Sequence, residues 1–425
     1  MARHLTTFLF AIRAAGGLRC TAMVRTSVVL ALFLLAPAVA GAQTPTFARD
    51  VAPILYAKCV ECHRPTMFAP MSLVKYDDAR PWARSIRNRV SARTMPPWGA
   101  DPQHGEFKND PRLTDKEIAT IVAWVDGGAP KGDNKDMPKQ PEFVDGWTIG
   151  KPDAVFEMKD AFTIPATGTI DYQYIRIPTG ITDDRWLAAI EIKPEARAHV
   201  HHVIAFTVPA GSPITEGGAL GPGNIGGVTP NKPGVIFDPG VGRMLTGNSD
   251  IVLQMHYTTN GQATTDKTQV GLRFLKEPPM WQQRGGSVIQ PRFVIPAGAP
   301  AHEVRGSRVL QADTIITSFT PHMHVRGKDM TYTAKYPDGR SEVLLSVPNY
   351  DFNWQITYQL KEAKRMPKGT EIEVVAHFDN SPQNKFNPDP TKDVRWGDQT
   401  WEEMMIGFWG TVADRQQTPQ QQQPR

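Results

Sequence analysis

Two kinds of residue are spaced here for metal chemistry: one Cys-x-x-Cys-His run and three groups of histidine. The run is Cys59-Val60-Glu61-Cys62-His63. It is the attachment pattern of c-type haem, in which two thiols add to the vinyl groups and the adjacent imidazole reaches the iron. A redox or zinc Cys-x-x-Cys pair is the competing reading, but Cys20 is the only other cysteine, so no second thiol pair exists to finish a zinc site. A sixth iron ligand has to come from the opposite haem face, hence from a loop well downstream. Met95, in Thr94-Met95-Pro96-Pro97-Trp98, is the expected ligand, because flanking prolines stiffen the loop that presents it. Met67 and Met71 lie nearer His63 and read as core or rim residues. Met/His ligation raises the iron potential, which suits electron transfer more than oxygen binding.

Of the histidines after Asp101, six cluster: His199, His201 and His202; His256; His322 and His324. Isolated strand histidines are ordinarily satisfied core or surface residues, and His377 reads that way. His322 and His324 stand at i, i+2, so a strand turns both imidazoles to one face, where they can share a metal. Imidazole suits Zn, Cu, Fe and Ni, and a thioether alongside tilts the choice to copper. Strand periodicity alone pairs His199 with His201 and sends the adjacent His202 to the other face.

The elements that must carry these residues change character along the chain. Phe47 to Lys58 reads as a short helix leading into the cysteine run. Trp82, Ile86 and Val90 form one helical stripe between Asp77 and Arg93. Thr114-x-x-Glu117 is a capping box before Ile118, Ile121, Val122 and Val125, with Gly127-Gly128 as the stop. Three short helices around one haem is the pattern of a small cytochrome c, which residues 46–133 resemble. A polar linker over residues 134–142 follows. Beyond Phe143 the hydrophobic period drops to two, as in Ile170 to Tyr174, His199 to Val208 and Glu371 to Phe378. Tyr336-Pro337-Asp338-Gly339 is a hairpin turn. The expected fold is therefore multidomain, a small α-helical cytochrome c domain followed by two all-β sandwich, jelly-roll-like domains over residues 143–290 and 291–412, with a disordered tail over 413–425.

From Met23 the chain reads as a secretory signal peptide: Arg25, an apolar run from Val28 to Val39, and Ala40-Gly41-Ala42 for cleavage. Residues 1–22 read as an upstream extension or a misassigned start. A periplasmic or secreted location follows, with no membrane span expected in the mature chain. With Cys20 removed, Cys59 and Cys62 stand alone, so a disulfide scaffold is excluded. The formal charge of +4 comes from Arg3, Arg13, Arg19 and Arg25, and the rest of the chain is balanced. A balanced chain has no global field for nucleic acid, which is not an expected partner.

His201-His202-Val203-Ile204, Leu253-Gln254-Met255-His256-Tyr257, His322-Met323-His324 and Glu403-Met404 resemble, in that order, the copper type II, ascorbate-dependent monooxygenases. That family includes peptidylglycine α-hydroxylating and dopamine β-monooxygenase, and the resemblance spans roughly Val155 to Gly410. It implies two mononuclear coppers, one per sandwich, across a solvent cleft. His201, His202 and His256 would hold the electron-transfer copper, and His322, His324 and Met404 the oxygen-binding copper. This mapping requires a bulge or strand end at His201, with His199 a candidate just outside the ligands; if His199 is the true ligand, the mapping slips there. Met405 competes with Met404, but the two face opposite ways. Thr320 and Phe408 stand where the peptide enzyme has a carboxylate-fixing Arg and a substrate-contacting Tyr, so a glycine-extended peptide is not the expected substrate. Trp396, Trp401, Phe408 and Trp409 either line an apolar pocket or are core aromatics. The resulting expectation is an exported copper monooxygenase with one covalent haem and two coppers. It would hydroxylate a C–H bond of a small organic substrate with O2, taking electrons from a periplasmic donor through its haem. The alternative is an electron-transfer or copper-binding protein without catalysis.

Overall fold

The structure is a computed structural model describing residues 44–414, apart from 66, 68, 145, 215–220, 222 and 229–233. The signal peptide over residues 1–42, with Cys20, lies outside the described residues, as does the tail beyond residue 414. Among the described residues no helix is long and apolar enough to cross a membrane.

Strands carry most of the architecture. A nine-stranded sheet runs through the molecule, its middle made by a short parallel pairing of Trp281 and Gln282 with Val241 and Gly242. Each half of this sheet is backed by a four-stranded sheet. Behind the first half stands the sheet containing Val200–Pro209 and Ser249–Tyr257; behind the second stands the one containing Gly327–Lys335 and Glu371–Phe378. Alternation builds both interfaces. In Glu371–Phe378 every second residue (Ile372, Val374, Ala376, Phe378) is buried and packs on Ile316, Phe319 and Trp409 of the long sheet. Leu187, Ile190 and Leu272 meet Val203, Leu253 and Met255 in the other half. The expected hairpin closes with Gly339 N–H donating to the Tyr336 carbonyl at 3.0 Å, and Gly339 takes φ +86°, which only glycine adopts freely.

The helical residues form a third, smaller core around Phe47, Leu55, Ile121 and Trp124. The helix Asp115–Asp126 begins at the capping box: Thr114 Oγ1 accepts from Glu117 N–H at 3.2 Å, and Glu117 Oε2 accepts from Thr114 N–H at 2.7 Å. The stripe through Trp82 does not form as one helix. Pro81 interrupts it, leaving Tyr76–Ala79 and Ala83–Ser91 as separate helices joined by a 3-10 turn, and Trp82 is exposed.

The expectation of a helical domain followed by two sandwich domains is corrected by this architecture. Residues Thr44–Arg425 cluster as one compact unit. Its α-helices are only 7, 4, 9 and 12 residues long, and the nine-stranded sheet crosses the boundary drawn between the two sandwiches. The helical stretch is also stitched to strands far away in sequence. Lys108 N–H donates to the Gln359 carbonyl at 2.9 Å, Asp101 N–H to that of Ser346 at 2.8 Å, and Asn109 Nδ2 to that of Thr357 at 2.8 Å. Ala100 and Phe107 enter the core of the second half of the sheet.

Candidate metal centres and the cavity between them

His201, His202 and His256 come together. One candidate ligand atom of each lies within 4.8 Å of the others. Val200 pairs with Tyr257 and His202 with His256, so His201 is the extra residue of a β-bulge. The bulge removes the facing problem, because both adjacent imidazoles now reach the same point. Their Nδ1 atoms stand 3.0 Å apart, and His256 Nδ1 is 3.4 Å from that of His202. Burial pushes His201 down to about 4 and His256 to about 3, and holds His202 well below the ordinary histidine value. All three rings are therefore neutral at pH 7 and need lose no proton to ligate a cation. Tyr172 walls one side, with its ring centroid 4.8 Å from that of His256. Phe352 walls another, stacked on His201 at 5.1 Å and 18°. His199 faces elsewhere: it ends the 3-10 turn Arg197–His199, and its Nε2 meets the Gln262 carbonyl at 3.1 Å.

His322 and His324 pair at 5.3 Å between centroids, with their planes nearly perpendicular. Each ring is held from outside through Nδ1, His322 by Gln355 Oε1 and His324 by the Glu402 carbonyl, both at 3.1 Å. Both Nε2 atoms thereby stay available for a metal, which is how ligating histidines are oriented. His324 Nε2 is buried without a hydrogen-bond partner among the described residues. Burial lowers His322 to about 4 and His324 to about 3. Glu403, fully buried, clamps the turn after the pair: it accepts from His324 N–H at 2.8 Å and from Arg326 N–H at 2.7 Å. Burial raises its carboxyl to about 8. Met404 follows directly, two residues before Ile406, the register partner of His322. Met405 packs in the sheet core, whereas Met404 is buried outside that cluster.

In the cysteine run, Cys62 and His63 N–H both donate back to the Cys59 carbonyl, at 3.2 and 3.0 Å. The two thiols are not joined, and burial raises them to about 12 and about 11. His63 Nδ1 meets the Met71 carbonyl at 3.3 Å, leaving Nε2 for iron. The Met71 side chain packs against the helical core. Met95 lines a cavity of about 1340 Å³ that His201, His256 and Phe352 also line. At this distance in sequence no periodicity could have joined the two.

Several residues carry structure that sequence reasoning missed or misplaced. Of Trp396, Trp401, Phe408 and Trp409 none lines the cavity: Trp409 is a core aromatic, one of the two readings the sequence allowed, Trp401 is exposed, and the Phe408 ring stands 6.2 Å from that of His322. The cavity takes its aromatics from Trp98, Tyr350, Phe352, Trp354 and Tyr358 instead. The alternation of aromatic with polar residues in Asn349-Tyr350-Asp351-Phe352-Asn353-Trp354 was the available signal. His377 is structural as expected, its Nδ1 2.7 Å from Asp329 Oδ1. Asp266, also fully buried, holds the approach to the first cluster by accepting from Ala196 N–H and the Tyr257 and Thr268 hydroxyls.

No family model and no curated protein matches the chain. Among solved structures it is similar to the major capsid protein P2 of bacteriophage PM2, at 8% identity and a TM-score of 0.28 over 62% of this chain and 98% of that one. PBCV-1 VP54, fitted into a reconstruction of the virophage Sputnik, gives 8% and 0.26 over 64% and 96%. Allantoicase from Saccharomyces cerevisiae gives 9% and 0.18 over 59% and 80%. At such TM-scores neither a common fold nor a function follows from these likenesses.

Proposed function

We propose that the protein is an exported haem- and copper-containing oxidoreductase, a monooxygenase that hydroxylates a C–H bond of a small organic substrate. The observation that carries this reading is the bulge at His201, which gathers three neutral imidazoles at one point, together with a second pair whose outer nitrogens are already engaged. Imidazole with a thioether is a donor set for copper. His201, His202 and His256 would hold one copper; His322, His324 and Met404 would hold the other. Cys59 and Cys62 would bind haem covalently, and His63 and Met95 would be the residues offered to its iron. When bound, these groups supply one-electron redox chemistry and activation of O2, whose reduction with one C–H bond takes two electrons and two protons and yields an alcohol and water.

The chain's own residues do the positioning. Gln355 and the Glu402 carbonyl set the ring orientations of His322 and His324, and Glu403 fixes the backbone between them and Met404. Tyr172 and Phe352 pack against the rings of the first cluster. Met95 lines the same cavity as His201 and His256, which supports delivery of electrons to the first cluster within one chain. Arg197, in the turn leading to that cluster, acts electrostatically on Cys62, which supports the same closeness. Electron transfer or copper binding without catalysis is the second reading, favoured by the aromatic cover over the first cluster.

The deciding experiment is metal and haem stoichiometry on protein exported by a host that attaches c-type haem. Two coppers and one covalent haem per chain are expected. Haem with one copper or none after copper loading would sink the monooxygenase reading and leave a carrier. Met404→Ala is then expected to keep haem and the first copper while losing O2-dependent turnover. Unchanged turnover removes Met404 from the mechanism.

A further inference from the structure

Two residues that line the cavity carry buried hydrogen-bond donors with no partner among the described residues. Gln355 is only 6% exposed, and its Oε1 is taken by His322 Nδ1, while its Nε2 has no partner among the described residues. Trp98 Nε1 is the second, buried at the same cavity wall. Leaving a buried donor unpaired is costly, so two of them on residues of one cavity mark a place where an acceptor arrives. Around them the walls are aromatic: Tyr350, Phe352 and Trp354 stand with Trp98. The four lysines and arginines of the same lining are committed elsewhere. Arg93 pairs with Asp115, Arg112 with Asp110, Lys328 donates to the Pro300 carbonyl, and Lys385 Nζ lies 4.8 Å over the Phe386 ring. The Thr320 and Phe408 positions offer no charge either; Thr320 bonds to Thr357 at 3.0 Å.

We infer that this cavity binds an uncharged, aromatic or largely apolar molecule carrying a carbonyl, ether or hydroxyl oxygen, and that Gln355 Nε2 donates to that oxygen. This rests on the monooxygenase reading only in making the bound molecule the substrate. The Gln355 amide also holds His322, so the ligand's oxygen and the His322 ring engage the two ends of one side chain. Gln355 is thus a specificity-determining residue that serves ligand and imidazole from the two ends of one amide. A site built this way rejects the molecule that lacks the oxygen, because the amide is then left buried and unpaired.

The test uses two probes of one shape, 2-acetylnaphthalene and 2-ethylnaphthalene, in equilibrium dialysis against the oxidised full-length exported protein without reductant. No turnover occurs under these conditions, so binding is read independently of copper chemistry. The ketone is expected to bind about tenfold tighter, the worth of one hydrogen bond. Gln355→Glu keeps an oxygen for His322 Nδ1 but removes the donor, and Gln355→Leu removes both. Each is expected to bring the ratio near one while 2-ethylnaphthalene binds as before. Equal binding of the two probes by the unaltered protein overturns the inference, as does a preference that survives both substitutions. The unaltered protein decides the acceptor preference even if a variant fails to fold. Ketone-selective binding in a protein that takes up no copper would uphold the cavity and overturn the monooxygenase reading; two coppers with no binding would do the reverse.

Discussion

The two histidine clusters solve one problem by opposite means. In the first, a bulge pushes His201 out of register so that three rings lean on one another and their Nδ1 atoms converge, with Thr400 Oγ1 3.4 Å from His256 Nε2 on the outside. In the second, regular alternation already places His322 and His324 on one face, and the orientation comes from outside, through Gln355, the Glu402 carbonyl and Glu403. The first cluster is built of rings packed on one another; the second is suspended from a loop and a strand end, and Phe352 packs against both. A centre that only passes electrons gains from enclosure, whereas one that meets a substrate needs ligands held in place while a coordination position stays open.

What the clusters share sets the largest expected effect. In both, the folded protein holds histidine neutral below the ordinary value of 6.5, with four of the five rings at about 3 to about 4. Between pH 6.5 and 4 the unfolded chain binds protons that the folded chain refuses, so the metal-free protein loses stability as pH falls through that window. Each such ring contributes up to about 1.4 kcal/mol per pH unit. Denaturant melts of the metal-free chain at pH 7, 5.5 and 4.5 check this. A flat profile would mean that the rings are not buried as neutral groups.

The next effect separates the clusters. His256→Ala is expected to abolish copper uptake at the first centre, a loss well beyond the roughly 10–100-fold that removing an outer partner costs, and to leave the second centre's affinity unchanged. Competition titration with a chromogenic chelator reads both. Loss of both coppers would show that the clusters fold as one unit, and the comparison above would fail.

How much of this was legible in the sequence follows the range of the interactions. His322-x-His324 and the Thr114 capping box are local, and both stand where their spacing puts them. The bulge at His201 left no mark in the strand period, which favoured pairing with His199; only the resemblance pointed to it. Trp82 followed the helical stripe on paper, yet Pro81 broke the helix before it. The separate helical domain failed for a longer-range reason. Asn109 and Gln359 meet across 250 positions, and no composition or period announces such a contact. Gln355 and Phe352 sit in a turn-rich loop, where neither a period of two nor of 3.6 applies.

Glu403 gives a third, smaller contrast. Glu403→Leu leaves the backbone N–H groups of His324 and Arg326 buried and unpaired, at a cost of about 1–3 kcal/mol for each group orphaned. Copper affinity at the second centre should fall about 10–100-fold, as for other outer partners, and the first centre should be untouched. Chelator competition on Glu403→Leu and Glu403→Gln, with thermal melts alongside, checks both. The amide variant retains one acceptor oxygen and should lose less. Equal losses at the two centres would mean that Glu403 supports the fold in general rather than the turn that carries His324.

The smallest effect belongs to His199, and it bears most directly on how the first cluster is built. Periodicity would make it a ligand partner of His201, while the bulge excludes it. Its side-chain bond, Nε2 to the Gln262 carbonyl at 3.1 Å, ties the turn Arg197–His199 to the far loop. That bond is worth about 0.5–1.5 kcal/mol. His199→Gln, whose amide can still donate to Gln262, should therefore cost less than His199→Ala, and both should keep the copper affinity of the first centre within about twofold of the parent, since neither removes a ligand. A large drop in affinity for both variants would return His199 to the ligand set. The bulge would then be displacing His202 rather than recruiting it.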